Sequence, residues 1–220
     1  MKKLLFTFFI AAASLAVNAQ ATFGIHANGI LSSAKAEEKE GNTTVSTKFD
    51  SRFSWKAGVV ADMPISENIS FMPQLNLLSK GGKMSQSESG FSSSMEMRFT
   101  YLELPLNFVY NHTSGLFIGA GPSLSYGIGG EAEVSLSGGG INESETVKIK
   151  FDGDDEANDD QAHLKALELG ANLIAGYRLT NGLFFNVQYN HGLSNIDPAE
   201  GSSFKNKYFG FGIGYFFSAK

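Results

Sequence analysis

At 220 residues the chain has room for one domain or two small ones, and with 42% hydrophobic and 18% charged residues it is too apolar for disorder and low in charge for a domain bathed in water. Its 22 acidic residues outnumber 17 basic ones, a net charge of −5 that argues against a nucleic-acid partner. It has no cysteine, which excludes disulfides and a lipid-modified N-terminal cysteine.

The chain opens on Lys2-Lys3 and an apolar run from Leu4 to Val17, the n- and h-regions of a secretory signal. Val17-Asn18-Ala19 puts small residues at −3 and −1, so residues 1–19 are expected to be cleaved and 20–220 to form one domain. The apolar run falls short of the roughly 18 residues a spanning helix needs. Without Lys2 and Lys3 the remaining chain has 15 basic residues against 22 acidic, a formal charge of −7.

After the signal, apolar residues recur at a period of two, the mark of strands. Eight runs stand out: 22–31, 53–63, 69–79, 100–110, 116–128, 167–179, 183–191 and 208–217. The last is the plainest. Phe209, Phe211, Ile213, Tyr215 and Phe217 make one large apolar face, and Gly210, Gly212 and Gly214 leave the other nearly bare. The links 64–68, 111–115 and 180–182 are short and rich in turn residues, whereas 34–52, 80–99, 129–166 and 192–207 are longer and polar. An even number of strands with short turns at one end and long loops at the other predicts an all-β, transmembrane antiparallel up-and-down barrel, its turns periplasmic and its loops extracellular.

Period two also suits a soluble barrel with its apolar face inward around a greasy ligand. The polar faces decide against it. They hold Gly, Ser, Asn and Gln with single charges at Lys56, Asp62, Glu103, Glu168 and Arg178, whereas a water-facing strand carries runs of Lys, Glu and Thr. The apolar faces carry large aliphatics with aromatics near the strand ends, as a lipid band with aromatic girdles does. Eight strands enclose only enough space for side chains, which excludes a wide aqueous pore. Tyr101, Phe117, Phe184 and Phe216 are expected inside, with the glycines making room. Glu103 and Glu168 are expected to pair with Lys56 and Arg178, since an isolated buried charge is costly.

Four motifs carry a resemblance: YLELPL at 101–106, GLFIGAGPSLSYGI at 115–128, QYNHGLSNI at 188–196 and KYFGFGIGYFF at 207–217. They resemble the PorT-like outer-membrane β-barrel proteins over essentially the whole chain after the signal. The resemblance implies a single eight-stranded barrel in the outer membrane of a Gram-negative bacterium, and a link to secretion known for one founding member. The last strand also resembles the aromatic signal read by the barrel-assembly machinery, although three residues follow Phe217.

No residue is assigned as catalytic, cofactor-binding or metal-ligating, and no cofactor is expected. Of His26, His112, His163 and His191, only His191 has Ser194 and Asp197 close in sequence, and that stretch reads equally as a plain strand end. The acidic run 152–160 has carboxylates dense enough for Ca²⁺ but lacks the ligand order of an EF-hand loop. Gly129-Gly130 and Gly138-Gly139-Gly140 read as loop breakers. The expected partners are outer-membrane lipid, the barrel-assembly machinery during biogenesis, and an envelope protein or extracellular ligand. The role expected is structural or binding, through the exterior loops. The alternatives are an accessory subunit of an envelope secretion or transport complex and, weakest, a lipid-modifying enzyme.

Overall fold

The computed structural model describes residues 21–41, 43–88, 90–154 and 161–217. The expected signal peptide, and most of the acidic run, lie outside them. The described residues form eleven strands and no helix: β1 (Thr22–Glu40), β2 (Thr43–Lys48), β3 (Arg52–Pro64), β4 (Ile69–Glu88), β5 (Phe91–Asn111), β6 (Leu116–Gly138), β7 (Ile141–Lys150), β8 (Ala162–His163), β9 (Leu167–Arg178), β10 (Leu183–Gly192) and β11 (Ser202–Phe217).

Eight of them close a ring. The pairing runs β1–β3–β4–β5–β6–β9–β10–β11 and returns to β1, every contact antiparallel. The closing seam is long, from Phe23↔Phe217 to Glu38↔Ser202. Seven of the eight expected runs lie within one ring strand, and the other, 167–179, overruns β9 by the single residue Leu179. The prolines leave their marks. The β3–β4 ladder lapses between Val60↔Gln74 and Met63↔Phe71, beside Pro73. The β4–β5 ladder lapses across from Pro105 and the β5–β6 ladder across from Pro122, since proline has no N–H to donate.

The expected long loops are where the sequence reading is corrected. β1, β4, β5, β6 and β11 continue well past the runs read from sequence, and β2 and β7 pair onto β1 and β6 to prolong the sheet. β8 then adds to β7. Much of 34–52, 80–99 and 129–166 is therefore strand. In these stretches serines and charges occupy both faces, so the apolar alternation fades while the backbone goes on pairing. Gly129-Gly130 lie inside β6 and are not breakers, whereas Gly138, Gly139 and Gly140 form the β6–β7 turn with φ of 137°, 59° and 89°. The ring thus has a turn end, carrying Thr22 and Phe217, and a hairpin end built from extended strands.

The expected sidedness of the faces is observed. Phe209, Phe211, Ile213, Tyr215 and Phe217 are exposed, as are Ile118, Phe53 and Leu173 on other strands. Tyr101, Phe117, Phe184 and Phe216 are buried inside the ring. Two apolar clusters fill the interior. At the turn end, Val60, Met72, Val109, Phe117, Ile174, Phe184 and Phe216 pack together, the Phe184 and Phe216 rings with centroids 4.7 Å apart. At the hairpin end, Phe99, Tyr101, Met97 and Phe204 pack with Ile149 and Ile196, and Phe151 sets its ring edge-on to Phe99 and Tyr101.

The bare face of β11 is what this packing requires. A Cβ on Gly214 would stand 2.2 Å from the Phe184 ring and 2.6 Å from the backbone oxygen of Ile25, and one on Gly212 would stand 2.2 Å from the oxygen of Ala27. Gly214→Ala is expected to cost about 1–3 kcal/mol through overpacking. Gly129→Ala, where a Cβ meets nothing within 4 Å, is expected to stay within about 0.5 kcal/mol. Urea unfolding of the protein in lipid vesicles measures both.

Candidate functional site

Between the two apolar clusters lies a polar layer to which every ring strand contributes. Lys56 comes from β3, Lys80 from β4, Glu103 from β5 and Glu168 from β9, all fully buried. Period two brings them together: each is an even number of residues from other inward positions on its own strand, such as Asn76 and Leu78 before Lys80. The Lys56 ammonium donates to Gln188 of β10, to Tyr208 of β11 at 2.9 Å and to Glu103 at 3.3 Å. Lys80 donates to Glu168 at 2.8 Å and to Ser125 of β6 at 2.9 Å, and also pairs with Glu103 at 3.4 Å. Tyr208 donates to Glu103 at 2.7 Å, and Asn206 to Glu168 at 2.8 Å. β1 joins through Asn28, whose amide donates to Asn186 of β10 at 2.7 Å.

The layer is electrically balanced, two ammonium groups against two carboxylates, and each of the four charged groups has at least two polar partners. Each Glu103 oxygen faces a lysine. The Lys80 ammonium also lies over the Tyr101 ring, 4.8 Å from its centroid. Charges so placed tie strands together. No one of them stands apart as a free acid, base or nucleophile.

Two features of the expected network change. Lys80 belongs to it, although its place in an apparent polar loop hid it. Arg178 does not: it pairs with Asp62 at 2.7 Å and lies over the Phe216 ring at the turn end. Glu168 and Arg178 share the inward face of β9, but the ten residue steps from one to the other span roughly 33 Å, too far to pair.

The histidines do not assemble a catalytic group. His191 is exposed and stacks on Tyr189 with ring centroids 6.3 Å apart, while the Ser194 hydroxyl accepts the backbone N–H of Leu169 and Asp197 accepts that of Ala199. His26 is buried against Asn28, and His112 meets Ser114 in a turn. His163 meets Asp152 at 2.7 Å, and this hydrogen bond holds the Asp152 carboxyl below the usual range. Among the described residues no three or more His, Cys, Asp or Glu side chains are grouped to hold a metal ion; residues 155–160 of the acidic run lie outside them.

Because the four buried charges share partners, removing one strands the others. Lys80→Met leaves Glu168 without a cationic partner and Glu103 with Lys56 alone. It is expected to cost about 3–5 kcal/mol in vesicle unfolding, far more than replacing all four charges by apolar side chains of similar volume.

Residues 11–197 match the family model described as an outer membrane protein beta-barrel domain. Solved structures similar to the chain include Neisserial surface protein A, at 14% identity over 90% of this chain and 99% of that one with a TM-score of 0.42. Another is Ail, the attachment invasion locus protein of Yersinia pestis, at 11% identity over 89% and 99% with a TM-score of 0.40. The outer membrane protease OmpT from Escherichia coli follows at 11% over 90% and 96%, with a TM-score of 0.29. No functionally curated protein matches.

Proposed function

The chain belongs to the outer membrane protein β-barrel domain family, and from that premise we propose that it is a non-catalytic eight-stranded transmembrane barrel. In this reading the lumen is packed and passes no solute, the turn end faces the periplasm, and the hairpin end stands outside the cell as a binding surface. The observation that carries the reading is the continuous outward face of large apolar side chains around the ring, among them Phe23, Trp55, Phe108, Ile118, Leu173, Phe185 and Phe211, each at least 49% exposed. An apolar surface of that extent has no stable contact with water and marks a membrane face. The outward run 209–217 is about the 9–11 residues a tilted strand needs to span.

The interior supports the non-porin part of the reading: an apolar cluster at each end seals a charge-balanced layer between them. The motifs at 101–106, 115–128, 188–196 and 207–217 support PorT-like membership within the family.

Sidedness gives the first test. Ile213→Arg, in the middle of the outward face of β11, is expected to lose about 2–4 kcal/mol in vesicles. Thr44→Arg, on the exposed strand β2, is expected to change stability by no more than about 0.5 kcal/mol. Equal costs would sink the assignment of lipid to that face. The surface role has its own test. Replacing residues 133–146 by a short turn removes the β6–β7 tip and shortens β6 at its hairpin end, leaving its outward-apolar stretch 116–128 in the ring. The shortened protein is expected to keep a heat-dependent shift in gel mobility but to lose partners that the full chain recovers by cross-linking in the native envelope. Identical recoveries would remove the β6–β7 tip from the role.

A further inference from the structure

The outward face of β11 changes character abruptly. After Phe217, Tyr215, Ile213, Phe211 and Phe209 come Lys207 and Lys205 on the same face. Register sets Lys205 directly opposite Lys35 of β1, and Lys207 directly opposite His191 of β10. Like charges directly across a strand pair destabilise it, yet Lys35, Lys205, Lys207, His191 and, directly opposite Lys35 on β2, Lys48 gather here around the carboxylate of Glu37, which is paired to Lys35. The surplus is local. On the β5–β6 side of the ring, Arg98 is surrounded instead by Glu96, Glu131 and Glu133. The basic sector borders a cleft of ≈ 260 Å³ whose lining includes Lys35, Glu37, His191, Ser203, Lys205 and Lys207.

Height matters as much as charge. Lys207 lies roughly 7 Å along the strand beyond the exposed Phe209, and Lys205 another ~7 Å. Directly below are Leu31 and Tyr189, both exposed apolar wall. Lysines at the rim of a lipid band lay their stems along the wall and hold their ammonium groups at headgroup depth. A phosphate carries the missing negative charge and several strong acceptor oxygens, and an acyl chain fits the wall beneath it.

We propose that Lys35, Lys205 and Lys207 form a binding site for the phosphate of an anionic lipid in the leaflet nearest the hairpin end, its acyl chains lying against Leu31, Tyr189 and Phe209. The proposal rests on the barrel reading above. Hydrocarbon continuity below the cluster selects a lipid over free phosphate.

The test is native mass spectrometry of the full detergent-purified chain. It is titrated with diphosphorylated lipid A, with the same lipid stripped of phosphate, and with inorganic phosphate. The diphosphorylated lipid is expected to bind about a hundredfold more tightly than the stripped one. Lys35→Gln/Lys205→Gln/Lys207→Gln should abolish that preference, and Lys83→Gln/Lys148→Gln, elsewhere on the rim, should preserve it. Should the triple variant lose its heat-dependent gel shift, Lys207→Gln alone is read, with a loss of about fivefold expected. A folded variant that keeps the full preference overturns the site alone. Inorganic phosphate that competes the lipid off at equal concentration overturns the lipid as ligand. A wild-type protein with no heat-dependent shift overturns the barrel, and the site with it.

Discussion

A strand in hydrocarbon has no water to satisfy its backbone, so every N–H and C=O must find another strand. The other features of this chain follow from that demand. It forces the first ring strand to pair with the last, Phe23 against Phe217, and it fixes the ring at a size whose interior side chains alone can fill. Small circumference then decides composition. Where Phe117, Phe184 and Phe216 enter the lumen, their neighbours must be glycine: a Cβ on Gly176 would stand 2.3 Å from the Phe117 ring. The glycine content first visible in the sequence is thus the complement of the aromatic content.

The buried charges obey the same economy of space. Two lysines and two glutamates in a buried interior are tolerable only as a closed set, and the ring strands are near enough for each to reach a partner across the lumen. Their cross-strand bonds link β3, β4, β5 and β9 directly, and reach β6, β10 and β11 through Ser125, Gln188 and Tyr208. The ladder fixes which strands are neighbours; the ionic layer adds contacts between strands that are not.

Legibility in the sequence tracks how strictly the environment constrains each residue. In the lipid band, a wrong-facing polar side chain is expensive, so alternation is nearly unbroken and both strand positions and faces can be read. Beyond the band both faces tolerate serine and charge, as in Ser92-Ser93-Ser94 of β5, and the signal fades although pairing continues through Phe91↔Gly138. Lys80 was hidden for that reason: it stands where alternation weakens, although its parity with Asn76 and Leu78 marks it as inward. Arg178 was misassigned because parity tells face and not height. Phe151 was out of reach altogether. It docks over Tyr101 from outside the ring strands, against Gly127, a contact set by how a distant hairpin folds back.

The seam between β1 and β11 also bears on how the ring comes into being. It joins the first and last strands of the ring, so it is the ring contact of greatest sequence separation and the last of the ring's contacts that synthesis makes possible. Until β11 arrives, β1 and β10 each present a bare edge, and the partly formed sheet is a template for pairing with any other strand nearby. Non-local closure of this kind is slow, because loop entropy is lost before the contacts that reward it form. The same bond pattern that leaves the finished ring without an edge makes its precursor all edge, and a nascent chain of this design depends on being kept from its neighbours until its final strand is in place.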